Sequence, residues 1–201
     1  MMITTVEQLR NLYPYASGRA KDKVLPHLEK HSTHFIMKAP FALLSTRDRA
    51  GNMDVSPRGG EAGFVCVASP QTLLIPDAKG NNRLDSLTNI IETGHIGMLF
   101  LIPGIDETLR VNGRAKVRAD AAVLGQFNSL RHPPASVIEV EISEVFLHCA
   151  KALMRAQLWN TSKQLKRSDF PTMGQMLNDQ LGAKGPIESQ AEMLKRYSKD
   201  I

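Results

Sequence analysis

The chain has 201 residues, 42 % hydrophobic and 22 % charged, with a net charge of +5. That balance belongs to a folded domain and not to a disordered tail, and no apolar run approaches the roughly 18–20 residues that span a bilayer. Cys66 and Cys149 are too few for a disulfide framework. The N-terminus lacks a basic stretch followed by an apolar core, so the expectation is a cytoplasmic protein with no membrane partner.

The excess positive charge lies in the flanks. Residues 1–40 carry six basic and three acidic side chains, residues 41–150 ten and twelve, and residues 151–201 nine and five. No five consecutive Lys or Arg occur, so the flanks read as solvated helix surfaces with no nucleic-acid partner. An aromatic content of 5 % leaves few rings to stack on bases.

In chain order, residues 5–38 read as one or two short helices interrupted by Pro14 and Pro26. His27, His31 and His34 have a spacing that a helix turns to one side; an ordinary exposed face is the simpler reading than a metal site. Seven segments follow, at 41–47, 53–57, 63–68, 72–75, 96–102, 108–119 and 137–147. They are short, rich in Val, Ile, Leu and Phe, and bounded by Gly, Pro, Asn and Asp, as strands are. Asp48 to Asn52 makes a hairpin turn, with Gly51 free to take positive φ. Seven strands with tight turns predict a closed or nearly closed antiparallel barrel. Helices are predicted at 83–92, where Leu84, Leu87, Ile90 and Ile91 recur at helical spacing before Gly94, and at 121–130. After Cys149 the texture is helical, at 152–159, 173–181 and 188–197. The chain thus reads as a single domain, with N-terminal helices at 1–38, a barrel at 39–150 and a helical extension at 151–201.

The common chemical motifs are missing. No Gly-x-Gly-x-x-Gly follows a strand, and there is no phosphate-binding Gly-x-x-x-x-Gly-Lys loop, Cys-x-x-Cys, His-Glu-x-x-His or Gly-x-Ser-x-Gly. Cys66, between Val65 and Val67, reads as core packing. His148 and Cys149 are adjacent on a strand and so point to opposite faces.

Four segments carry a resemblance: Asp54-Val55-Ser56-Pro57-Arg58-Gly59-Gly60, Leu73-Leu74-Ile75-Pro76-Asp77, Asn82-Arg83-Leu84-Asp85-Ser86-Leu87-Thr88-Asn89, and Glu107-Thr108-Leu109-Arg110-Val111-Asn112-Gly113-Arg114-Ala115. In that order they resemble the pyridoxamine 5'-phosphate oxidase-like flavin-binding split barrels over roughly residues 35–160. The resemblance implies a mainly β fold with flanking helices, an FMN-binding split β-barrel with a helical C-terminal extension. It also implies FMN as cofactor, a homodimer with FMN at its interface, and oxidoreductase chemistry on a small molecule. Arg58 and Arg83 are the implied phosphate ligands, because a guanidinium fork matches phosphate oxygens. Gly59 allows close backbone approach, and Asn82 and Asn89 are further amide donors. Asp85 is expected to cap the helix start or orient Arg83. Ser56, Ile75, Pro76 and Asp77 are expected along the flavin ring edge. Thr108, Arg110 and Asn112 are expected to reach the partner's flavin, with Arg155 and Trp159 approaching from the extension. No residue is compelled to act as acid or base, so no catalytic residue is assigned. The chain lacks the Trp- and Arg-containing terminal stretch of the vitamin B6 oxidases, and their lysine-bearing phosphate strand is replaced by Ser-Pro-Arg-Gly. Two alternatives stay open: a non-catalytic flavin carrier, and a related barrel binding deazaflavin or haem, the latter needing an axial histidine from His95, His132 or His148.

Overall fold

Alternation of apolar and polar residues builds the sheet. In the computed structural model, which describes residues 2–182 and 185–200, seven antiparallel strands form one sheet: β1 Phe41–Arg47, β2 Met53–Gly59, β3 Cys66–Ser69, β4 Thr72–Pro76, β5 His95–Leu101, β6 Thr108–Arg118 and β7 Val137–His148. Their order is β2-β1-β5-β6-β7-β4-β3. The long central pair β6 and β7 runs in register from Thr108 opposite His148 to Arg118 opposite Val137, with a bulge at Asn112/Gly113. Inward positions of these strands form the core, where Ala42, Leu44, Leu73, Ile75, Phe100, Leu109, Val111, Ile138 and Val140 are wholly buried. This is the expected split barrel.

Local chemistry sets the connections. Asn52 donates from its backbone and side chain to the Asp48 carboxylate at 2.8 and 2.7 Å, and Gly51 takes φ +92°, so β1 turns directly into β2. Helix α3, Lys30–Lys38, starts at a Glu29–Ser32 capping box and buries Ile36 against the barrel. Helix α4, Asp85–Thr93, ends at left-handed Gly94 and packs on β1 and β6 through Ile90.

Several expectations are corrected. The segment before α3 holds two helices, α1 Val6–Leu12 and α2 Arg19–Asp22, so three precede the barrel. His27 lies ahead of α3, and among the described residues no group of three potential ligands is placed to hold a metal. The third strand starts at Cys66 and not at Gly63, because Gly63 turns at φ +85° tight against the Met37 carbonyl. The helix expected at 121–130 is the single turn α5, Ala121–Leu124, followed by a 3-10 turn at Gly125–Phe127; glycine favours neither continuation nor a straight helix. Cys66 packs with Leu74, Val123, Phe127 and Val137, as read from the sequence. The extension holds α6 Lys151–Ala156, α7 Met173–Leu181 and α8 Gln190–Tyr197. Residues 183, 184 and 201 of the expected extension lie outside the described residues.

Candidate cofactor cleft

A cleft of about 1260 Å³ opens between the end of β2, the loop after β4, the start of α4 and the segment before β7. One wall is Ser56, Pro57, Arg58, Gly59, Gly60 and Phe64. A second is Pro76, Asp77 and the loop from Ala78 to Leu87. A third is Leu130, Arg131, His132, Pro133 and Ser136. Ser56, Arg58, Gly59, Pro76, Asp77, Asn82 and Arg83 therefore come together as the sequence expected.

One end of the cleft has two arginines and an open helix start. Arg58 is half-buried and donates to the Pro57 carbonyl at 2.9 Å. Arg83 donates to Asp85 at 2.8 Å, which raises its already high pKa, so Asp85 orients Arg83 as expected and caps nothing. Arg83 itself is not helical. Leu84 stands at the N-cap with φ +60°, and no side chain caps the first turn, whose N–H groups are left to a ligand or water. Asn82 also has positive φ. Two of the three non-glycine residues with positive φ among the described residues thus sit in this loop, as backbone strain tends to do at binding sites.

Asp77 is one of three carboxylates lining the cleft, with Glu61 and Asp85. Burial pushes its carboxyl above the ordinary range, against the pull of the Arg58 cation.

Not every expected residue reaches the cleft. Ile75 points into the core and is paired through its main chain with Ile138. Asn89 turns to the barrel, donating to Thr46 Oγ1 at 3.1 Å; it lies more than a turn past the helix start, on the face that packs. Thr108, Arg110 and Asn112 lie on β6 opposite His148, Phe146 and Glu144, away from their own chain's cleft. Arg110 and Asn112 both donate to Glu144 Oε1, while Arg110 Nε is buried with no acceptor. Trp159 Nε1 donates to the Ile105 carbonyl at 2.9 Å, and Arg155 is exposed on α6.

The sequence reading missed two features. Asp54 gathers Ser56 and Ser86 into a knot that joins β2 to α4 at the cleft floor. Phe64, Lys79, Arg131 and His132 line the cleft, and the only local signal for the last pair was the Pro133-Pro134 break that follows them.

The fold defines a split β-barrel, with a cleft lined by Arg58, Arg83 and Arg131. Residues 28–149 match the profile of the pyridoxamine 5'-phosphate oxidase family, and the chain belongs to that family. Among solved structures it is similar to HupZ of Group A Streptococcus, with a TM-score of 0.51 and 15 % identity over 60 % of this chain and 93 % of that one. It is also similar to a pyridoxamine 5'-phosphate oxidase candidate from Lactobacillus delbrueckii, with a TM-score of 0.50 and 22 % identity over 61 % and 95 %. At these identities the likeness is one of fold. No curated protein matches the chain.

Proposed function

We propose that the chain is an FMN-dependent oxidoreductase acting on a small molecule, working as a homodimer with FMN at the interface. The observation that carries this reading is the convergence of Arg58, Arg83 and the uncapped start of α4 on one cleft in a chain of this family. The residues fit the group. Two guanidinium forks and free helix N–H groups suit a phosphate dianion. Gly60 lies so close to Phe64 that a Cβ would meet it at 2.8 Å, which leaves backbone and ring to form a flat wall. Phe64, Leu87, Leu130, Pro57 and Pro76 supply apolar surface for a ring system.

Bound flavin would supply the hydride or electron chemistry. The chain's own part is to hold the phosphate with Arg58 and Arg83 and to exclude water with the apolar wall. Arg110, with one buried N–H lacking an acceptor, would complete a site on the partner.

The absorbance spectrum of the purified protein tests the reading. Flavin bands, or stoichiometric uptake of added FMN with preference over riboflavin, are expected. A Soret band would transfer the cleft to haem, with His132 as the histidine lining it. Equal affinity for FMN and riboflavin would remove the phosphate site.

A further inference from the structure

The extension is built as defined structure, yet it covers no core of its own. Helix α7 starts at a Thr172 cap that accepts from the Gln175 N–H at 3.2 Å, and α8 at a Ser189–Glu192 capping box. Arg167 donates to the Phe170 and Pro171 carbonyls, and Arg196 is paired with Glu188. Gly174 lets α7 meet the segment leading into α8 so closely that a Cβ there would stand 2.5 Å from the Glu188 carbonyl oxygen. Helices of nine and eight residues fall below the roughly 12–15 residues that hold a helix in water, so apolar burial must stabilise them.

That burial is missing from the single chain. Among the described residues, none after Val145 is buried. Met173, Leu177 and Leu181 lie at i, i+4 and i+8, forming one outward stripe, 44, 46 and 77 % exposed. Helix α1 has the same deficiency: Val6 and Leu9 share a face and none of its residues is buried. The chain exposes 13882 Å², about half as much again as a compact chain of this mass exposes.

We infer that the α7–α8 hairpin is a docking element for a second copy of this chain, its Met173, Leu177 and Leu181 stripe seated on the partner. The inference rests on the pairing proposed above and names a segment that carries it. Twofold pairing covers two equal surfaces at once, and the surplus area is of the order that obligate interfaces bury. Charge agrees: residues 151–201 carry four more basic than acidic side chains and residues 41–150 two fewer, so the arm of one copy is drawn to the barrel of the other.

The test uses the full chain with Leu177→Glu or Leu181→Glu, both exposed in the single chain and so neutral to its barrel. Sedimentation equilibrium should show the wild type dimeric and each variant at least about tenfold weaker in self-association, since each places a charge in an apolar contact made twice. Amides of α7 should exchange more slowly in the dimer than on dilution. Variants that pair as tightly as wild type, with α7 amides indifferent to concentration, overturn the inference and leave the pairing intact. A wild-type monomer at micromolar concentration overturns both.

Discussion

Ser86 Oγ donates a 2.6 Å hydrogen bond to the Asp54 carboxylate, fastening the first turn of α4 to β2. Ser56 donates to the same carboxylate at 2.9 Å, so one acid sets the position of the two walls that carry Arg58 and Arg83. Ser86 is buried, and its partner would lose a charge-assisted bond if the hydroxyl went. Ser86→Ala should therefore destabilise the fold by about 1.5–3 kcal/mol and weaken ligand binding at the cleft as well. Thermal melts and FMN titration of one sample read the two effects. A variant with wild-type melting and wild-type affinity would show that Ser56 and Thr46 hold Asp54 in place without Ser86.

For the arginines, Arg58→Ala should raise the dissociation constant for FMN roughly tenfold to a hundredfold, the range for losing charge-assisted bonds. Arg83→Ala should act in the same direction. Riboflavin affinity should change little in either if the phosphate is what they hold. Fluorescence quenching titrations give both numbers; unchanged FMN affinity in both variants would place the phosphate elsewhere.

The barrel was legible because its signals are local. Alternation and flanking turn residues mark each strand within a window of five to ten residues, and Asp48 to Asn52 declares its hairpin outright. The cleft was legible where a motif is contiguous, as in Ser56 to Gly59 and Asn82 to Arg83. It was not legible where closure of the barrel does the work. Asp54 and Ser86 are 32 residues apart, and neither carries a mark of the other. Arg131 and His132 reach the cleft because β6 and β7 pair along their full length and return the chain to the end of β4. Leu84 in a left-handed conformation defies its own preference, and that moved the helix start past Arg83.

Gly113 offers a test of the fold. At the bulge in β6 its missing Cβ leaves room for the Glu141 carbonyl oxygen of β7, which a methyl would overlap. The obstacle is backbone in the longest strand pair, so it has little freedom to move. Gly113→Ala should cost on the order of 2–4 kcal/mol, in the upper part of the range for overpacked sites, read as a lowered denaturant midpoint. A shift below about 0.5 kcal/mol, ordinary for a surface change, would mean that the bulge relaxes freely.

Asp77 gives a pH dependence. Its folded pKa lies above the ordinary 3.8 because burial disfavours the charged form. The stability this contributes is complete below the unfolded value and is lost as pH rises through the raised folded value. Asp77→Asn should thus melt higher than wild type at neutral pH, with the gap closing in acid. Melting curves from pH 3 to 7 decide it, and parallel curves would show that Asp77 ionises without cost in the fold.

The shared site has the sharpest consequence. Arg58 lines its own chain's cleft, whereas Arg110 lies outside it with one buried N–H lacking an acceptor. If Arg110 completes the partner's site, Arg58→Ala and Arg110→Ala homodimers each carry two damaged sites. Mixing the two by dissociation and reassociation gives mixed dimers in which one site holds both lesions and the other none. Random pairing makes about half the dimers mixed, so about a quarter of all sites should regain wild-type FMN affinity. Linkage demands the same of dilution: a ligand held by two chains binds the dimer better than the monomer, so flavin should be released as the dimer dissociates. A binding isotherm of the mixture that is the plain average of the two variants would place Arg110 and Arg58 in the same chain's site or leave Arg110 outside any.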